Sequence, residues 1–363
     1  MSRRNRRHQR PREPRELEIE SLSHEGRGIA RINGKTVFVS AALPGERVLA
    51  RIVRGRRKFD EATTVEVLQA SPARIEPRCA AFAVCGGCSL QHLSAGDQLA
   101  HKQQTLLAMM AHAGIEIGAL LPPLVGETWG YRQKARLGVK YVDGKGRALV
   151  GFRERDTPFI ADMHRCEVLL PQVGHQLEAL SALIGGLEAR RSIPQIEVAA
   201  DDTRVQLVFR HLQPLSSADR ERLVEFAKAT GFYLQLQPGG PGTVHDLHPQ
   251  GQSLAYDPLG DGRLRIEFKA IDFVQVNAGI NRQMVAQALD LLELSPEHRA
   301  LDLFCGLGNF TLPMALRCGR VTGVEGDEAM VGRARDAARA NGIDNAEFAV
   351  GDLSRADPGL PWM

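Results

Sequence analysis

No stretch of this sequence approaches the roughly twenty consecutive apolar residues of a membrane-spanning helix, which excludes an integral helical membrane protein. The N-terminus lacks the apolar core of a secretory signal. Its arginines resemble those of a mitochondrial presequence, but its prolines disfavour the amphipathic helix such a leader needs. A cytoplasmic location is therefore expected. Aromatic residues are few, at 5%. Cysteine is scarce too, six in 363 residues, so a disulfide scaffold is not expected and the thiols should be free or bound to a ligand. Apolar residues at 43% suffice for real cores, and the length implies two or three domains.

The net charge is only +3, but it is unevenly spread. Residues 1–15, MSRRNRRHQRPREPR, hold seven arginines and one glutamate, a composition expected to be disordered and suited to polyanions. From 16 to 70 the pattern is of short strands at 17–20, 28–32, 36–40, 47–53 and 62–69. Asn33-Gly34 lies between the second and third, the type I′ hairpin signature. Five short strands predict a small OB-like β-barrel. Its exposed positions would include Arg27, Arg31, Arg51, Arg54, Arg56, Arg57 and Lys58, a basic face for RNA or simply for solvent. The stretch resembles a TRAM domain, a small RNA-binding barrel attached to RNA-modifying enzymes.

Three cysteines follow within ten residues, Cys79, Cys85 and Cys88, with glycines between the last two. This is the composition of a ligand loop. A closed thiolate site needs a fourth ligand, for which Cys166 is the natural candidate. Zinc sites usually come as two short pairs, whereas three clustered cysteines and one remote one lean toward iron–sulfur; spacing alone does not decide between them. Cys305, in a glycine turn, and Cys318, on a helix, read as packing residues.

Residues 71–270 read as an α/β middle region. Helices are expected over 99–113, 172–187 and 217–230, with a hairpin at Asp143-Gly144 and a return strand over 147–153. Arg132, Lys134, Arg136, Arg153 and Arg155 would form an alternating basic face, equally consistent with a phosphate backbone and with solvent. Gly239-Gly240-Pro241-Gly242 marks a loop, on which His245 and His248 read as surface histidines.

The last region, 271–363, begins with Phe273-Val-Gln275-Val-Asn277, read as a strand in which Gln275 would be a buried amide in need of a partner. A helix over 281–292 leads to an apolar run, Ala300 to Phe304, expected to be buried on both faces. It breaks at Cys305-Gly306-Leu307-Gly308-Asn309. A helix starts at Thr311, and a second apolar run ends on Glu325. Strand, glycine turn, helix, strand and acid form the Rossmann-like layout of a nucleotide-type cofactor site. Thr311 stands where GxGxxG has its third glycine, so a dinucleotide pyrophosphate fits poorly and S-adenosylmethionine fits better. Gly351-Asp352, closing a third strand, would take the adenine amino group.

The barrel, the Cx5CxxC loop with a remote cysteine, FxQxN and DLFCGLGNFTLP together resemble the RNA 5-methyluridine methyltransferases, most closely the bacterial enzymes acting on 23S ribosomal RNA. The resemblance runs from about residue 16 onward. It implies a multidomain fold: a TRAM barrel, an α/β middle region carrying an iron–sulfur loop, and a Rossmann-like methyltransferase domain. A 4Fe–4S cluster on Cys79, Cys85, Cys88 and Cys166 is implied, with S-adenosylmethionine contacts from Gln275, Phe304, Asn309, Glu325 and Asp352. The turn and acids by themselves indicate only Gly306, Gly308, Glu325 and Asp352.

Family chemistry adds a cysteine thiolate to C6 of uracil, which turns C5 into a carbon able to take a methyl group. The family's nucleophile and general base lie beyond the Asp352 strand, and the sequence ends at Met363 before them. The chain is therefore expected to be C-terminally incomplete, to leave the edge of the 300–304 strand exposed, and to transfer no methyl group by itself. Two other readings compete: a non-catalytic iron–sulfur RNA-binding protein, and a radical enzyme, which would need a CxxxCxxC loop.

Overall fold

A computed structural model describes residues 13–354. Most of the arginine-rich segment thus lies outside the described residues. Two compact units emerge: one is the chain up to Pro123 together with Arg153–Phe159, the other Leu124–Phe152 and the chain from Ile160.

The first unit is built on six strands: β1 (Arg15–Glu18), β2 (Ser21–Leu22), β3 (Gly28–Ile32), β4 (Lys35–Ser40), β5 (Arg47–Gly55) and β6 (Phe59–Gln69), in the order β1-β5-β6-β4-β3-β2. The first expected strand is split in two because the chain changes partner within it. Ile19 donates its N–H to Glu46, next to β5, whereas Glu20 donates to Ile29 on β3. Alternate residues point inward, so Leu17, Ala30, Val37, Val39, Val48, Ala50 and Ala62 share one small core. Asn33 and Gly34 both have positive φ, 49° and 80°, as a type I′ turn requires.

Residues past the barrel fold back onto it. Glu46 is fully buried. Burial alone would raise its pKa, but Arg74 and the N–H groups of Leu43 and Ser71 outweigh this and hold it below the ordinary range. Leu90 packs so closely on Gly26 that a Cβ there would lie 2.8 Å from it. Helix α1 (Ala95–His112) follows, capped by Ser94, whose hydroxyl accepts from Asp97 N–H.

The barrel face is less uniformly basic than its composition suggests. Arg27 is half-buried over the Phe38 ring, 4.8 Å from its centroid, and sits beside Glu25 and Glu61. Arg31 and Arg54 lie near Glu20 and Glu61. Arg51, Arg56, Arg57 and Lys58 are exposed.

A six-stranded sheet opens the second unit: β7 (Lys134–Val142), β8 (Arg147–Gly151), β9 (Gln195–Ala200), β10 (Val205–Arg210), β11 (Tyr233–Gln237) and β12 (His245–His248). Its order is β12-β11-β10-β9-β7-β8, and β10 and β11 are parallel, joined by a helical crossover. The hairpin between β7 and β8 is present, but its left-handed residue is Gly146 rather than Gly144. His245 and His248 lie on β12, not on the preceding loop.

The single helix expected over 172–187 is two, α2 (Pro171–Gly174) and α3 (Leu177–Gly186). The break falls where Gly174 meets Cys166. Gly174 accepts the Cys166 N–H at 2.9 Å, and its Cα sits so close that a Cβ would lie 2.2 Å from the Cys166 carbonyl. Helix α4 (Ser217–Thr230) matches expectation, capped by Ser216 and ended by left-handed Gly231.

A short hairpin, β13 (Leu254–Tyr256) and β14 (Ile266–Phe268), leads to helix α5 (Ala278–Leu291). Then come β15 (Arg299–Leu303), α6 (Thr311–Ala315), β16 (Arg320–Glu325), α7 (Glu328–Ala340) and β17 (Ala346–Val350). The last three strands are parallel, in the order β15-β16-β17. Ala199 and Val208 of the larger sheet and Val285, Leu312, Val321 and Val331 belong to one continuous core.

Three expectations are corrected here. β15 is not buried on both faces: among the described residues it pairs only with β16, leaving Leu301 45% and Leu303 48% exposed. Residues 273–276 form no regular strand, and Gln275 is exposed, so no buried amide has to be satisfied. Cys318 lies in the turn after α6 rather than on the helix, though it is buried as expected.

Candidate cofactor site and cysteine loop

The turn between β15 and α6 is held by backbone conformations that only certain residues adopt easily. Gly306 and Gly308 have φ of 57° and 91°. Phe304 is also left-handed, at 62°, which is unfavourable for a residue with a bulky side chain. Its ring is 70% exposed, at the mouth of the turn. Between the glycines, Leu307 points into the core.

Glu325, at the end of β16, closes the turn from the neighbouring strand. One carboxylate oxygen accepts the Gly306 N–H at 3.1 Å; the other accepts the N–H groups of Gly326 and Asp327, at 2.7 and 3.1 Å. The acid is thereby oriented before any ligand arrives. Asp327 caps α7 by accepting from Met330 N–H. Met330 in turn lies beside Gly306, its methyl 3.6 Å from where a Cβ would stand.

Asn309 is fixed by a residue the sequence did not single out. Its amide and that of Asn281 on α5 exchange hydrogen bonds in both directions, at 2.9 and 3.0 Å. Asn281 is buried, and α5 is capped by Asn277, the last residue of FxQxN. The amide pair therefore ties the motif's helix to the glycine turn. Thr311, in place of a third glycine, donates to the Asp302 carboxylate at 2.6 Å. Burial raises the Asp302 pKa, and the Thr311 hydrogen bonds offset this in part. Asp302 was legible only as an acid inside an apolar run. Asp352 is exposed at the end of β17 and accepts from the Ser354 N–H and hydroxyl.

Cys305 is walled in. Its sulfur lies 2.9 Å from where a Cβ on Gly323 would stand, and burial, with Asp302 and Glu325 nearby, pushes its thiol up to about 12. At pH 8 roughly one part in ten thousand would be thiolate, too little for a nucleophile. Native protein treated with iodoacetamide at pH 8 should therefore keep Cys305 unmodified, whereas unfolded protein should lose it. Mass spectrometry of the Cys305 peptide reads the difference; rapid native alkylation would contradict the packing role.

In the first unit, Cys79, Cys85 and Cys88 are gathered on one loop. Arg155 donates to the Cys88 carbonyl at 2.9 Å, and its guanidinium lies over the Phe82 ring. Gly86 donates to Arg153, with no room for a Cβ, which would be 3.2 Å from that carbonyl. Burial raises the Cys85 pKa; Gly87 N–H lowers it, and the neighbouring Cys88 and Cys79 raise it again. His92, completely buried against Phe82, is pushed down to about 4 by burial and by Arg74. Cys166, buried in the second unit, is placed by its bond to Gly174. Among the described residues no group of three or more His, Cys, Asp or Glu side chains is arranged to hold a metal ion. The donor chemistry nonetheless fits a soft cation: burial, with Cys88 and Cys79 nearby, raises the Cys85 pKa, and a bound metal would relieve that cost.

Within the second unit the alternating basic residues do not form one free face. Arg132 stacks over Phe152, Lys134 is largely buried with its pKa lowered by desolvation, and Arg136 pairs with Glu197. Arg153 and Arg155 belong to the other unit, around the cysteine loop.

These features define a class: a glycine-turn, Rossmann-like cofactor fold in a chain that also carries a small β-barrel. The profile of the tRNA (Uracil-5-)-methyltransferase family matches residues 257–354, and that of the TRAM domain residues 9–65. Over 98% of its length the chain is 51% identical to the 23S rRNA (uracil(1939)-C(5))-methyltransferase RlmD of Alcanivorax borkumensis, covering 81% of that protein. It is 52% identical to the protein of the same name from Alkalilimnicola ehrlichii, covering 80% of it. A crystal structure of Pyrococcus abyssi tRNA (uracil-54, C5)-methyltransferase in complex with S-adenosyl-L-homocysteine superposes with a TM-score of 0.70. That match has 20% identity, over 94% of this chain and 81% of that one. The chain belongs to the family of RNA (uracil-C5)-methyltransferases, and its near relatives are named for 23S ribosomal RNA. No helix among the described residues is long and apolar enough to cross a membrane.

Proposed function

We propose that the chain binds S-adenosylmethionine at the glycine turn and serves methylation of C5 of a uridine in 23S ribosomal RNA. One observation carries this reading: Glu325 is held across the turn by the Gly306 N–H, with acceptor capacity left for ribose hydroxyls. Gly306 and Gly308 let a ligand approach the backbone, Asn309 is steadied by Asn281, and the exposed Asp352 would accept from the adenine amino group. Phe304 and Gln275, both exposed, would line the remainder of the cleft. The cofactor, when bound, supplies an electrophilic methyl group on sulfur.

In this reading C5 becomes nucleophilic through a cysteine adduct at C6 of the uracil. Cys305 and Cys318 do not suit that role, being buried with raised pKa values. The remaining four cysteines, Cys79, Cys85, Cys88 and Cys166, would hold a 4Fe–4S cluster. The barrel and the arginine-rich segment would bind RNA through its phosphates.

Calorimetric titration with S-adenosylhomocysteine tests the central claim directly. Saturable one-to-one binding is expected; no binding would overturn the cofactor reading and favour a non-catalytic RNA-binding protein.

A further inference from the structure

A groove of ≈ 620 Å3 in the second unit starts at Met330, beside the glycine turn, and runs to the end of β10 and the Gly239–Gly242 loop. Three acids line it, Glu197, Asp272 and Asp327. Near the cofactor turn stands Asp327, one residue beyond the Gly326 that Glu325 binds. Four cations line the groove: Arg136, Arg210, Lys269 and Arg333. Two are committed, Arg136 to Glu197 and Arg333 to Asp272, both acids being buried. Arg210 and Lys269 are exposed, and among the described residues no carboxylate pairs with either side chain. The loop facing them is tied down by Thr243, whose hydroxyl accepts from Gly239 N–H and donates to the Gly240 carbonyl.

We propose that Arg210 and Lys269 form a phosphate-binding subsite for the RNA strand next to the target uridine. The charges fit both ligands at once. A sulfonium cation is favoured beside Asp327, and a phosphodiester where two cations lack counter-charges. The flanking strand would thus be held by its backbone, without reading its bases. The placing of the sulfonium rests on the cofactor reading above, whereas the subsite itself depends only on the groove.

The salt dependence of RNA binding tests it. Wild-type protein, Arg210→Ala/Lys269→Ala and the charge-retaining Arg210→Lys/Lys269→Arg would be titrated with a short single-stranded uridine-containing oligoribonucleotide at several salt concentrations. Lys228→Ala, on α4 and outside the groove, controls for simple loss of charge. Each lost phosphate contact lowers the slope of log K against log salt by roughly 0.7 for single strands, so the double alanine variant should lose roughly 1.4. The charge-retaining variant should keep the slope, and Lys228→Ala should leave it unchanged. S-adenosylhomocysteine affinity, measured in parallel, should be the same in all four proteins. An unchanged slope in the double alanine variant, or an equal drop in Lys228→Ala, would overturn the subsite. So would loss of S-adenosylhomocysteine binding in the double alanine variant, which would place these cations in the cofactor site. Failure of the wild-type protein to bind S-adenosylhomocysteine would sink the cofactor reading and leave the RNA slopes to decide the subsite.

Discussion

Replacing Glu325 by alanine should weaken S-adenosylhomocysteine binding by at least about 100-fold. In the proposed reading the carboxylate accepts from ribose hydroxyls, and charge-assisted hydrogen bonds contribute about 1.5 kcal/mol each, so losing two costs about 3 kcal/mol. A second effect adds to the first. The side chain also accepts from Gly306, Gly326 and Asp327, so its removal frees the glycine turn and the start of α7. Glu325→Gln keeps the shape but lacks the charge and one acceptor, and should fall between, at about tenfold. Calorimetry on the three proteins measures this, with thermal melts to confirm that each is folded. An alanine variant within threefold of wild type would show that the ribose is held elsewhere.

The second large effect concerns the cysteine loop. Protein prepared without oxygen should carry iron and sulfide and absorb visible light. Cys85→Ala should lose both the metal and the colour, because Cys85 is the buried member of the loop that also carries Cys79 and Cys88. Cys318→Ser, which removes a thiol that donates only to the Arg320 carbonyl, should retain the full iron content. Elemental analysis of wild type and both variants decides the matter. Zinc in place of iron would sink the cluster assignment, and so would an undiminished iron content in Cys85→Ala.

Much of the cofactor site is legible from the sequence because its parts are close together in the chain. A glycine turn leading into a helix, with an acid at the end of the next strand, describes backbone events separated by one crossover. Gly306, Gly308 and Glu325 accordingly meet as their spacing requires. The hairpin at Asn33-Gly34 and the helix over 217–230 are read correctly for the same reason, since turn chemistry and caps act over a few residues. Errors arise where distant segments decide. The apolar neighbours of Gln275 predict a strand, yet no strand forms there and the residue is exposed. The helix after Leu170 breaks because Cys166 occupies the space and the hydrogen bond that continuity would need. The alternating cations Arg132, Lys134 and Arg136 are drawn to different surroundings, an aromatic ring, a buried site and the Glu197 carboxylate, which their spacing does not encode.

The sequence by itself carried the motifs that resemble the family, and it offered the glycine turn and its acid as a candidate cofactor site because they are close in the chain. It indicated the four cysteines as a cluster only through that resemblance, since one of them is remote. Tertiary structure alone decided that Asn281 steadies Asn309, that Cys305 is too deeply buried to react, and that only two of the four groove cations lack a counter-charge. Burial and pairing are properties of which distant side chains come together, and no run of neighbouring residues encodes them.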